Sequence, residues 1–262
     1  MNNKQLGILF IFIFLCTPLF SQQENTTDRG RAVNFFNHKH NFISPVGYVH
    51  KLKNGRNDTE FVFQLSLKLP IIGNPDKTVL FAAYTQKSFW QVYNSKESRP
   101  FREHNYNPDV FLKSAGKTFN VDLGIEHESN GKSDPNTRAY NRTYLKLNLN
   151  TAPVKISLKG WMTLSEEQAL AQYYKYMDKE RSIDDYYGNC ELEMTWFIGK
   201  AHFYNLGRYN PKTGYGAYRG NFSFATSGWI APFLEYFKGY GDSLIDYNHS
   251  LERYMLGIII SR

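Results

Sequence analysis

The chain has 262 residues, with 31 basic against 24 acidic side chains and a formal charge of +7. A mean hydropathy of −0.51 excludes a helical membrane protein with several spans, and an aromatic content of 16% excludes a disordered chain. The basic excess is scattered and suggests no nucleic acid, while 19 Tyr and 20 Phe in a polar chain point to an all-β protein, since aromatic side chains suit a pleated surface.

Residues 1–21 read as a signal peptide. Lys4 supplies the positive start, Ile8 to Cys16 is an unbroken apolar run too short to span a bilayer, and Ser21 is the small residue before the cut. Cleavage there leaves Cys190 as the single cysteine of the mature chain, so no internal disulfide is expected. Residues 22–41 read as a flexible polar leader and 42–262 as the main domain. No later apolar run is long enough for a helical span, so the exported chain is periplasmic, secreted or an outer-membrane β-barrel.

From residue 42 onward, strand-like segments follow one another at 42–53, 60–69, 78–93, 109–115, 118–128 and 139–149. The second half adds 153–163, 186–197, 200–208, 215–225, 228–237 and 252–260. Between Glu60 and Leu69 the alternation is strict, with Phe61, Phe63, Leu65, Leu67 and Leu69 on one face and Val62, Gln64, Ser66 and Lys68 on the other. Turn chemistry at Asn54-Gly55, Ile72-Gly73-Asn74-Pro75, Asn150-Thr151 and Asn210-Pro211 separates many segments. Phe89-Trp90 and Tyr173-Tyr174 are candidate interfacial girdle pairs. The helix-prone stretch Ser165 to Met177 reads as an extended loop. The expected fold is all-β, a twelve-stranded antiparallel transmembrane β-barrel of the outer membrane. A soluble sandwich stays open, because pattern alone does not say what the polar face meets.

The chemistry lies in Gly124-Ile125-Glu126-His127-Glu128-Ser129-Asn130-Gly131-Lys132-Ser133-Asp134-Pro135. On a strand, His127 and Ser129 leave the same face. A hydroxyl beside an imidazole is the minimal unit of a nucleophile activated by a general base. Such a base needs a third group to fix its tautomer, and a turn around Asp134-Pro135 would set Asn141 opposite His127. A His-x-Ser pair taken alone occurs often by chance; the register with Asn141 makes the pattern specific.

The stretch His127 to Pro135, followed by Arg138, Asn141, Arg142 and Tyr144, resembles the active-site hairpin of the outer membrane phospholipase A family. Tyr84 to Gln91 with Asn94-Ser95, and Pro100-Phe101-Arg102-Glu103 with Asn105-Tyr106 and Pro108, resemble a strand and its following loop in that family. Gly239 to Asn248 resembles the penultimate segment, and the likeness runs from about residue 40 to the end.

The resemblance implies a twelve-stranded barrel with its catalytic residues on the lipid-facing wall. Ser129 would be the nucleophile, His127 the base, Asn141 its orienting partner and the Gly131 N–H part of the oxyanion hole. It further implies a calcium ion and a homodimer when active. The ion's ligands would be the carbonyl of Lys132, the hydroxyl of Thr137, the carbonyl of Ser98 from the partner chain and the acidic side chain of Asp178, with Glu180 nearby. Lys132 stands where the family usually has arginine, and truncating its side chain is expected to change little if only the carbonyl binds. Gln86 matches a polar residue of the family's dimer interface. The implied activity is calcium-dependent hydrolysis of phospholipid acyl esters (phospholipase A1/A2, lysophospholipase). The alternatives are a catalytically silent barrel, as a pore or structural protein, and the soluble sandwich.

Overall fold

The computed structural model describes residues 36–50, 56–133, 135–168, 182–226 and 229–260, all within the unit Asn34–Arg262. Twelve antiparallel strands form the wall: β1 (Asn41–Val49), β2 (Thr59–Asn74), β3 (Thr78–Trp90), β4 (Phe101–Ser114), β5 (Phe119–Ser129) and β6 (Arg138–Thr151), then β7 (Val154–Gln168), β8 (Cys190–Ile198), β9 (Ala201–Tyr209), β10 (Gly216–Phe224), β11 (Ile230–Gly239) and β12 (Leu251–Ile260). Each pairs with its sequence neighbours, and β12 closes on β1 through Tyr254 opposite Tyr48 and Ile259 opposite Phe42. Closure leaves no open sheet edge. A two-residue strand, Phe36–Asn37, continues the pairing along β2 at Lys68 and Leu67, so the sheet reaches upstream of β1. No helix among the described residues is long and apolar enough to cross a membrane.

The open question about the polar face is answered by β2. Glu60, Val62 and Ser66 are fully buried inside the barrel, while Leu65 on the alternate face is exposed beside half-buried Phe61, Phe63 and Leu67. The outer rows of β5 and β6 are likewise apolar, with Leu123, Ile125, Leu145, Leu147 and Leu149 exposed over interior Asp122, Glu126 and Asn148. This is the inverse of a soluble protein, polar within and apolar without, and it is the pattern a barrel in lipid requires. The connections are short at one end, such as Ala152-Pro153 between β6 and β7 and Gly199-Lys200 between β8 and β9. They are longer at the other end, where the loops after β3, β5 and β11 lie.

Several expectations need correction. Ser165–Gln168 belongs to β7 and is not loop, while 169–181, with Tyr173-Tyr174, Asp178 and Glu180, lie outside the described residues, as do 1–35 and Asn54-Gly55. The segment 186–197 begins not as strand but in a short helix α1 (Ile183–Tyr187), capped by Ser182, whose Oγ accepts from the Asp185 N–H while Asp185 accepts from the Ser182 N–H. The residues from Phe101 to Pro108, taken by resemblance for loop, are the first half of β4. Phe89 and Trp90 do not form one girdle pair. Neighbours on a strand point to opposite faces, so Phe89 is buried inside and Trp90 stacks outside on Phe101 at 4.9 Å.

At the long-loop end the interior is plugged. Ile183 and Tyr187 of α1, with Leu244 and Tyr247 of the loop after β11, pack on Phe111, Tyr140, Tyr144 and Trp161 of the wall. Gly241 lets that loop turn inward, for it has φ +75° and a Cβ there would lie 2.1 Å from the Tyr187 ring. Beside the plug lies a buried ion cluster. Arg253 donates to Asp242 at 2.6 Å and to Glu60 at 2.8 Å. Arg102 donates to Glu60 at 2.5 Å and to Asp246 at 2.5 Å, and Lys87 reaches Asp242 at 3.0 Å. All three cations stand over the Phe89 ring at 4.6 to 5.1 Å. Burial alone would raise the Asp242 carboxyl, but Lys87, Arg253 and Arg219 hold it well below the usual carboxylate range.

Removing one member of such a cluster strands its partners. Arg253→Ala should cost about 3–5 kcal/mol, because two buried carboxylates each lose one of their charged donors, read as a lower urea midpoint in detergent. The stabilising charge on Asp242 is present above about pH 4, the ordinary carboxylate value, and is lost as pH falls further. Asp242→Asn should therefore flatten the acid side of the stability profile.

Candidate active site

The outer row of β5 runs Leu123, Ile125, His127, Ser129, so the candidate residues continue an apolar lipid-facing row toward the long-loop end. On β6 the matching row is Leu145, Thr143, Asn141. His127 pairs directly with Asn141 in the register, and their side chains join through His127 Nδ1 and Asn141 Oδ1 at 3.0 Å. The amide oxygen can only accept, so it takes the proton from Nδ1 of the ring. On its other side Asn141 Nδ2 donates to Ser165 Oγ at 2.8 Å. The network thus assigns the ring proton to Nδ1 and leaves Nε2 with a lone pair.

Ser165 reaches that position through a bulge. The β6–β7 register is Arg142 to Thr163 and then Asn141 to Ser165, so Leu164 is an extra, unpaired residue. Without it Ser165 would face inward, since a one-residue slip exchanges the two faces of a strand. Bulges are placed beside active sites for this kind of re-aiming.

Ser129 shares the outer face with His127 and lies opposite Ala139 and Tyr106. Among the described residues, its side chain makes no hydrogen bond to the ring; contacts of this kind commonly tighten only when substrate binds. The loop beyond it is organised by buried Asn130. Its Oδ1 accepts from the N–H groups of Lys132 (3.3 Å) and Arg138 (3.0 Å), and its Nδ2 donates to the Asn136 carbonyl at 2.8 Å. Gly131 follows at φ +62°, where a Cβ would meet the Tyr106 ring at 3.0 Å. Glycine therefore suits both the left-handed backbone and the space.

The Lys132 side chain makes contacts that the resemblance does not imply. Its Nζ donates to the Arg102 carbonyl at 2.6 Å and lies 3.3 Å from Glu103, whose Oε2 is buried and accepts no hydrogen bond. The side chain thus ties the loop to β4. Thr137 is half-buried on the same loop. Ser98 sits apart, in the loop after β3, at φ +59° beside Arg99 at +52°. Among the described residues, no hydrogen bond or ion pair joins it to Lys132 or Thr137 within one chain. Gln86 faces outward, linked to Tyr84 and Ser88. Among the described residues no group of three or more His, Cys, Asp or Glu could hold a metal. A carbonyl and a hydroxyl are the hard oxygen donors that calcium prefers, so this part of the implied set fits that ion in kind.

The model of the phospholipase A1 family matches residues 20–260. The chain belongs to the phospholipase A1 family. It is 37% identical over 219 residues to phospholipase A1 of Salmonella typhimurium and 36% identical over 219 residues to that of Escherichia coli, in each case covering 80% of this chain and 72% of the relative. Among solved structures, outer membrane phospholipase A from Escherichia coli superposes with a TM-score of 0.76 at 31% identity, covering 87% of this chain and 94% of that one. The Salmonella typhi outer membrane phospholipase, a dimer with bound calcium, gives 0.78 at 31% identity over 89% and 94%. An asparagine-to-alanine active-site mutant of the Escherichia coli protein gives 0.77 at 31% identity over 91% and 95%. The family's members are ester hydrolases acting on phospholipids, and the barrel places this one in the bacterial outer membrane.

The sequence does not disclose Ser165 or the loop-organising role of Asn130: an Asn-Gly pair by itself signals only a turn, and Ser165 opens the helix-prone stretch. Lys132→Ala should lower kcat/KM about tenfold, the weight of a charge-assisted hydrogen bond, and Lys132→Arg should restore most of it. Equal activity in Lys132→Ala and the parent would show the tether to be idle.

Proposed function

We propose that Ser129, His127 and Asn141 hydrolyse phospholipid acyl esters from the lipid side of the barrel wall. The observation that carries this is the hydrogen bond of His127 Nδ1 to Asn141 Oδ1, on the outer face, with Ser129 one rung along the same strand. An asparagine in the active site of the Escherichia coli relative supports the same reading for Asn141.

The chemistry follows from the tautomer. The bare Nε2 of His127 removes the proton as Ser129 Oγ attacks the ester carbonyl carbon. The charge that forms on the carbonyl oxygen meets the N–H of Gly131, which no acceptor among the described residues takes up. Collapse expels the glycerol oxygen, which receives the proton from His127, and leaves an acyl-serine. Water, deprotonated by the same ring, then releases the fatty acid and restores the serine. Asn141 is neutral, so it orients the ring without placing an unpaired charge against lipid.

A calcium ion is part of the proposal, as is a homodimer. Lys132 and Thr137 would hold the ion, with Ser98 of the partner subunit, and Asp178 is the proposed acidic ligand. When bound, the cation supplies positive charge near the developing oxyanion. The calcium-bound dimer of the Salmonella typhi neighbour supports both.

Ser129→Ala and His127→Ala should each reduce phospholipid hydrolysis by roughly 10⁴-fold or more while the barrel stays folded, and the double change should cost little beyond either alone. Wild-type turnover in Ser129→Ala would end the assignment. Shared ligation would make calcium binding and dimerisation tighten each other by the same factor. Thr137→Val, which deletes one ligand oxygen at nearly constant volume, should raise the calcium needed for half activity several-fold, read by titrating activity and crosslinking the same samples. Full activity in chelator, with crosslinking indifferent to calcium, would exclude the shared site.

A further inference from the structure

A second histidine stands on the same outer wall, and its hydrogen bonds are wired in the opposite sense. His104 lies on the lipid-facing row of β4, between the rings of Phe101 (4.7 Å) and Tyr106 (5.9 Å). Its Nδ1 meets Ser88 Oγ at 2.9 Å. Ser88 Oγ also accepts from Gln86 Nε2 at 3.1 Å, and Gln86 Oε1 accepts from the Tyr84 hydroxyl at 3.2 Å. The donors run one way along this chain. Tyr84 gives to Gln86 and Gln86 gives to Ser88; Ser88 is fully buried and no other acceptor among the described residues takes its hydroxyl proton, so that proton goes to His104 Nδ1. The ring proton of His104 is therefore on Nε2. No side chain among the described residues takes that proton, and the atom is not closed off from the surface. His127 offers a bare Nε2; His104 offers an Nε2–H.

Position says what this donor meets. Tyr106 pairs with Ser129, and His104 lies two residues farther along β4, toward the long-loop end, where β5 has given way to the loop that begins at Asn130. Two residues of strand advance about 6.6 Å. In a phospholipid lying along the wall with its acyl ester at Ser129, the phosphate lies farther out of the hydrocarbon than the ester, in the direction of His104. Resting on the assignment of Ser129 as nucleophile, we infer that His104 Nε2–H binds a phosphodiester oxygen of the substrate, so that the wall reads the phosphate as well as the ester. The chain Tyr84–Gln86–Ser88 is what holds the ring in the donor tautomer.

The test compares a diacyl phospholipid with a diacylglycerol of the same chains in detergent micelles, using the full-length protein. His104→Phe keeps the ring stack and deletes the donor. The ratio of kcat/KM for phospholipid over diacylglycerol should fall about tenfold, the loss of one hydrogen bond to a charged group, with the change in KM and not in kcat. His104→Gln, whose amide places an N–H near the lost one, should recover most of the ratio. Equal loss on both lipids would make His104 merely structural, and an unchanged ratio would also overturn the inference. A binding arm needs no turnover. In Ser129→Ala protein, the ¹⁵N resonance of His104 Nε2 should move with a non-hydrolysable diether phospholipid and stay still with the diether glycerol or with inorganic phosphate. A resonance that ignores the phospholipid, or that answers free phosphate or dimerisation alone, refutes a lipid phosphate site. A chain that hydrolysed neither lipid would fail as a phospholipase, and the resonance would still decide His104.

Discussion

A backbone in hydrocarbon has no water to bond to, and every N–H and C=O must find its partner within the protein. Closing β12 onto β1 meets that demand around the whole circumference, and side-chain alternation then does the rest. Each strand must show lipid an apolar row, so its polar residues are driven inside, where water is scarce as well. The interior can hold Glu60, Arg102, Asp242 and Arg253 only as a mutually satisfied lattice. The same rule governs the outside. Polar groups on the lipid face are tolerated where they satisfy one another, as in His127–Asn141–Ser165 and Tyr84–Gln86–Ser88–His104.

The active wall and the plug are two faces of the same strands. Asn141 points out to the imidazole, while its neighbour Arg142 points in, donating to Asp184 of α1 at 2.8 Å and covering the Tyr140 ring at 3.7 Å. Lys132 likewise ties the loop beyond Ser129 to β4 next to Arg102, which is locked into the ion cluster. The catalytic row is thus backed by a rigid interior, and its geometry is set largely by residues that never meet substrate.

What the sequence made legible follows the same physics. Alternation from Glu60 to Leu69 disclosed a two-faced strand, and the turn at Asp134-Pro135 was enough to set Asn141 against His127. Which face was wet stayed hidden, because a sandwich and a barrel share the pattern. Ser165 was hidden for a different reason: its outward aim depends on the single unpaired residue Leu164, and a one-residue slip leaves no mark in composition. The tether of Lys132 is a contact across about thirty positions of chain, to a carbonyl that carries no side-chain signature. Short α1 was read as strand because Tyr186 and Tyr187, which favour a pleated surface, dominate it; they serve instead to fill the mouth of the barrel.

That filled mouth bears on how the cell could tolerate the protein in quantity. Many barrels of the outer membrane admit solutes. Here Ile183, Tyr187, Leu244 and Tyr247 pack into the interior near the paired charges and narrow it at one end. Copies inserted into a planar bilayer should add less electrical conductance than an unobstructed barrel of twelve strands. The membrane can then carry a resident lipid hydrolase without giving up its permeability barrier until the hydrolysis itself begins to remove lipid.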